Sequence, residues 1–106
     1  MMPTMKKHLP SEVRGQQLLD VAVALASKGG LANLTREKIA LKANVSPGLV
    51  SHRLGTMENL RRSVMRQAVV REDMKLLAEG LVARNPIVMK APEELRQRAA
   101  ASLGVA

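Results

Sequence analysis

Residues 34–54, LTREKIALKANVSPGLVSHRL, spell two short helices joined by a tight turn. Thr35 can cap a first helix whose apolar face is Ile39, Ala40 and Ala43. Asn44 falls where the chain must turn, and asparagine tolerates left-handed backbone angles better than most residues. Ser46 can cap the next helix and Pro47 suits its first position. Val45, Val50 and Leu54 supply apolar residues at turn and helix spacing. Ala40 is small where the second helix must cross closely. This pattern predicts a helix-turn-helix, a motif whose second helix enters the DNA major groove.

Upstream, Ser11 to Lys28 reads as an amphipathic helix, with Leu18, Ala22, Leu25 and Ala26 on one buried stripe. Gly15 weakens its first turns by about 1 kcal/mol relative to alanine. Gly29 and Gly30 stop it, one of them in the left-handed conformation common after a helix. This helix serves the core and reaches DNA only through its N-terminal end, near Arg14. Residues 1–10 carry Lys6, Lys7 and His8 between the breakers Pro3 and Pro10. They read either as a solvated tail or as an arm that reaches phosphates or the minor groove, with Lys6 and Lys7 as its contacts.

Downstream, Thr56 caps a long fourth helix predicted from Met57 to about Ala83, with Leu60, Val64 and Ala68 against the first three helices. Val69, Leu76, Leu77 and Leu81 continue its apolar side, and with Ile87 they form the expected dimer contact. Asn85-Pro86 ends that helix. Pro92 starts a last, short one through Leu103, where Glu93 and Glu94 suit the helix dipole. The whole reads as all-α: a basic arm over 1–10, a DNA-binding domain over 11–66, and a helical dimerisation region over 67–106.

The charge is uneven. The chain has 106 residues and a net charge of +8, of which residues 1–66 carry +7 and residues 67–106 only +1. The basic half is the half with the helix-turn-helix, which favours a polyanionic partner. With no cysteine, disulfides and thiolate chemistry are excluded. With no Phe, Tyr or Trp, base stacking on aromatic rings is unavailable, which disfavours single-stranded nucleic acid. The longest apolar run, 21–26, is too short for a membrane span, and the N-terminal residues do not read as a secretion signal. A cytoplasmic protein is expected. His8 and His52 lie far apart in sequence and no carboxylate set completes a metal site, so no metal or cofactor is expected. Neither a phosphate loop nor a nucleophile elbow is present, and no enzyme activity is expected.

Pro47, Gly48 and Leu49 sit at the end of the second helix that points into the groove. Gly48 leaves room for backbone approach, and Leu49 offers apolar contact, for instance to a thymine methyl. Ser51 and Arg53 come next along that helix, where Arg53 reads a guanine edge, holds a phosphate or is simply solvated. Thr35, Arg36 and Lys38, at the start of the preceding helix, suit phosphates, where free N–H groups also help.

From about Arg14 to Val64 the chain resembles the N-terminal DNA-binding domain of TetR-type transcriptional regulators. The pieces are the helix RGQQLLDVAVALASKGG, Leu34-Thr35, Ile39-Ala40, Val45-Ser46-Pro47-Gly48, His52 with the anchor Leu54, and the helix start at Thr56-Met57. Asn44 stands where that family usually has glycine, Leu54 where it has an aromatic anchor, and Met57 near its usual lysine. The resemblance implies that His52 contacts a phosphate. It also implies a large ligand-binding domain, for which the residues after the motif are too few. The expectation is therefore a short form: a homodimeric repressor on a palindromic double-stranded operator, with no small-molecule inducer, of a kind suited to plasmids or phages. The alternatives are a nonspecific architectural DNA-binding protein and a basic protein-interaction module.

Overall fold

A computed structural model describes residues 10–104, and among these every regular element is helical. Helix α1 spans Ser11–Gly29, a single 3-10 turn comes after it at Leu31–Asn33, and α2 spans Arg36–Ala43. Helices α3, Pro47–Leu54, and α4, Met57–Arg71, complete the N-terminal unit. Three more helices make up the rest: α5 at Met74–Val82, α6 at Pro86–Met89 and α7 at Glu93–Ala101. The arm residues Lys6 and Lys7 lie outside the described residues.

The local signals at the helix starts do what their chemistry requires. Thr35, Ser46 and Thr56 each accept a hydrogen bond from the backbone N–H three residues on, all at 3.1 Å. Each bond satisfies a donor that the first helical turn leaves without a partner. Gly30 stops α1 at φ +97°, but its ψ of 141° is extended, not the left-handed helical value expected for a glycine stop. That corner of backbone space is open to glycine alone.

Three helices end on non-glycine residues in the left-handed conformation: α2 at Asn44, α4 at Glu72, and α5 just before Asn85, at Arg84. In each case the next N–H reaches back five residues to a carbonyl: Val45 to Ala40, Asp73 to Ala68, and Asn85 to Gly80. This arrangement closes the orphan carbonyls of the last turn.

The fourth helix is shorter than its apolar pattern predicts. It ends at Arg71 rather than near Ala83, and Asp73 caps a separate helix by accepting from the Leu76 N–H at 3.2 Å. Long-range polar contacts hold the break. Glu72 accepts from Arg98 Nη1 at 3.0 Å, and Asp73 accepts from Ser27 Oγ at 3.1 Å. The last helix likewise ends at Ala101, two residues early, and α6 forms where the sequence pattern predicts no helix.

One core runs through the whole described chain. Leu18, Ala22 and Ala26 of α1 meet Ile39 and Ala40 of α2, Val50 of α3, and Leu60, Val64, Met65 and Ala68 of α4. Leu25, placed on the α1 stripe by its spacing, is only partly covered, and Val23 is buried instead. The core continues without interruption into Leu76 and Leu77 of α5, Val88 of α6, and Leu95 and Ala99 of α7. Among the described residues no helix is long and apolar enough to cross a membrane.

Candidate DNA interface

The turn between α2 and α3 is built from Asn44 at φ 60°, ψ 48°, with Val45 tucked against the core. Ile39 and Ala40 on one side and Val50 on the other are buried, so the two helices are locked face to face. What remains outside α3 is polar and accessible. Pro47, Gly48 and His52 are exposed, and Gly48 and His52 share one stripe at i, i+4. Ser46 is exposed at the cap, while Ser51 and Arg53 are half-buried.

Leu49 departs from its expected role. It is half-buried and packs against the core, which limits what it can offer to a thymine methyl. Lys38 departs as well, because its Nζ donates to the Asn33 carbonyl at 2.8 Å and so ties down the 3-10 turn. Thr35 and Arg36 stand where the sequence places them, half-buried at the start of α2. Arg14 Nη1 donates to Gln17 Oε1 at 2.7 Å along α1.

The electrostatics depend on which charges are neutralised. The ion pairs among the described residues are Arg62–Glu58, Arg71–Asp20 and Arg98–Glu72, and none involves a cation of α2 or α3. Arg36 and Arg53 each keep a buried Nε without an acceptor. Such a donor costs about 1–3 kcal/mol until something accepts from it. In α3 His52 and Arg53 fall in the last turn, where the helix dipole favours the positive charge of the arginine. Arg61 and Arg66 add exposed positive charge on α4. Their sequence signal is the run from Arg61 to Arg66, whose cations flank the buried Leu60, Val64 and Met65, but no motif spacing marks them as contacts.

The residues expected to form a dimer contact are largely committed elsewhere. Leu76 and Leu77 are 0% and 1% exposed within the single chain, so they have no surface to present to a second copy. They fill the space between α5 and its neighbours, which the separate α5 makes possible. Val69, Leu81 and Ile87 are half-buried against the same core. The exposed apolar side chains of this region are Val70 and Val82, with Met89 and Leu103 less so.

Polar contacts tie the helix-turn-helix unit to the C-terminal helices. The Glu79 carboxylate of α5 accepts from the N–H groups of Leu31 at 2.8 Å and Ala32 at 3.2 Å. Asp20 of α1 accepts from both Arg71 and Gln16, and the Arg71 hydrogen bond, foremost, holds its carboxyl below the usual range.

Comparison with known proteins agrees with this geometry. Residues 18–64 match the family model described as bacterial regulatory proteins, tetR family. Over 55 residues the chain is 38% identical to the HTH-type transcriptional regulator BetI of Paraburkholderia phymatum, covering 52% of this chain and 28% of that protein. The BetI of Burkholderia thailandensis is 34% identical over 58 residues, covering 55% of this chain and 30% of the relative. The chain thus spans under a third of the length of the curated relatives it matches. No solved structure matches it significantly. Capped α2 and α3 and the left-handed turn between them fall inside the matched segment: residues 18–64 form a helix-turn-helix that is similar to the DNA-binding region of tetR-family regulatory proteins.

Proposed function

We propose that the chain binds double-stranded DNA in sequence-specific fashion, placing α3 in the major groove and acting in the cytoplasm as a transcriptional repressor. The observation that carries this reading is the outward face of the motif. Exposed Ser46, Pro47, Gly48 and His52 sit beside cations that no carboxylate within the described residues neutralises. Ser46 to Gly48 approach the base edges. Ser51, His52 and Arg53 flank them, and Thr35 and Arg36 hold phosphate at the α2 N-terminus. Lys38 joins them only by releasing the Asn33 carbonyl. The name of the relatives, transcriptional regulator, supports the same role.

Recognition of a palindromic operator needs two copies, because one motif of this size gives little specificity. Pairing is assigned to residues 67–106, through Val70 and Val82 with the half-covered Val69, Leu81 and Ile87 beside them. The reading includes no inducer held within residues 10–104, where the hollows along α1, α2 and α5 are open grooves rather than enclosed chambers. Control then comes from protein concentration or a partner.

Selection from random duplexes, followed by footprinting and a salt series, tests the proposal. The expected result is a symmetric site with two half-sites about 34–36 Å apart. Its affinity should exceed that for unrelated DNA by about 1,000-fold or more. Equal affinity for all duplexes would make the chain an architectural protein. A monomer at micromolar concentration, both free and on DNA, would remove the homodimer.

A further inference from the structure

On the outer side of α1 and α2 lies an apolar groove of which the DNA reading uses only one rim residue, Lys38. Three adjoining hollows of about 380, 350 and 360 Å³ all share Leu25. Val21, Ala24 and Leu25 of α1 form one wall, and Leu41 of α2 forms the other. Leu41 is 85% exposed, the largest value among the exposed large apolar side chains. Leucine left in water is disfavoured by about 25 cal/mol per Å² of apolar surface, so a patch of this kind is a candidate for contact.

The rim of the groove is cationic. Lys28, Lys38 and Lys42 line it, and none of them is in an ion pair within the described residues. One carboxylate reaches the edge, Asp20, and its charge is already engaged by Arg71. Along α1 the wall from Val21 to Lys28 is about 10 Å, or two helical turns. These dimensions and this chemistry suit two or three apolar anchors on one face of a short helix with carboxylates on either side.

We infer that this groove is a docking surface for an acidic amphipathic helix of a partner protein. A second copy of this chain is a poor occupant, because its net charge is +8 and like charges would face each other at the rim. DNA is a poor occupant of the floor, which is aliphatic and offers no donor or acceptor to a base edge; only the rim lysines suit its phosphates. The surface is separate from the Gly48–His52 stripe of α3, so partner and operator can be held together.

The test uses the intact chain and a designed helical peptide of alternating leucine anchors and glutamates, with a scrambled peptide of the same composition as control. Nuclear magnetic resonance titration of the labelled chain should shift Val21, Leu25, Lys28, Leu41 and Lys42. Leu41→Asp, and separately Lys28→Glu with Lys42→Glu, should weaken peptide binding at least tenfold, and Leu41→Asp should change operator binding less than twofold. Leu41 is exposed, so its variant keeps the fold, which the unperturbed spectrum elsewhere would verify. The inference is overturned by equal binding of the scrambled peptide, by shifts confined to other helices, or by variants that bind like the parent. It is also overturned if duplex DNA displaces the peptide from these residues, or if Leu41→Asp converts a dimer to a monomer, since the groove would then belong to DNA or to a second copy.

Discussion

Replacing Gly80 by alanine sets two effects of opposite sign against each other within one helix. Gly80 lies inside α5 and is buried where α5 crosses α6 and α4. On propensity alone, Gly80→Ala should stabilise a helix interior by up to about 1 kcal/mol. Packing opposes this. An added Cβ would run into Cγ2 of Val88, and would lie 2.8 Å from Met65 Cε and 3.1 Å from Val88 Cβ. The Met65 tip can rotate aside, but Val88 is β-branched, fully buried and stiff. Overpacking of this kind costs about 1–3 kcal/mol, so clash outweighs propensity and the net loss should be about 1 kcal/mol or somewhat more. For a chain of this size that lowers Tm by roughly 4–8 °C per kcal/mol. Because the chain has no aromatic residue, unfolding in urea is followed by far-ultraviolet circular dichroism rather than fluorescence. Val88→Ala alone should also destabilise, by roughly 2 kcal/mol, through lost burial and the cavity left behind. In the double variant the new methyl enters the space that Val88 vacates, so the combined loss should fall short of the sum by about 1 kcal/mol. A Gly80→Ala protein as stable as the parent, or strict additivity in the double variant, would refute the close crossing.

Three further outcomes are expected. At the turn, Asn44→Gly should leave stability unchanged or raise it by a few tenths of a kcal/mol. Asn44→Val should cost about 1–2 kcal/mol in the same urea assay, because a β-branched residue resists the left-handed backbone. Arg53→Ala should weaken binding evenly over many duplexes and lower the salt slope by about one unit, as a phosphate contact does; relaxed preference at a single base position would reassign Arg53 to base readout. For Asp20, the Arg71 hydrogen bond lowers the folded carboxyl below its ordinary 3.8, so its stabilisation is present above that value and is lost as pH falls through the folded value. The gap in Tm between the parent and Asp20→Asn should therefore shrink between about pH 6 and pH 3, and a constant gap would show that the ion pair contributes nothing.

What the sequence settled about this protein is what acts over three or four residues. Thr35, Ser46 and Thr56 cap their own first turns, Pro47 opens a helix because its missing N–H is not needed there, and Asn44 accepts a left-handed turn. Those interactions are complete within the local chain, so the helix-turn-helix and its outward residues were legible. The tertiary structure alone decided matters that depend on groups far apart. The break at Glu72–Asp73 interrupts an unbroken apolar pattern with neither glycine nor proline, and it is held by Arg98 and Ser27, 26 and 46 residues away. The Lys38 ammonium turns from an expected phosphate to the Asn33 carbonyl. Above all, an apolar side chain reads the same whether it fills its own core or faces a partner. Leu76 and Leu77 read as a dimer contact and are buried at home, while Leu41, one residue past the buried Ala40, stands in solvent. Burial depends on what packs across the whole chain, which helix periodicity cannot reveal.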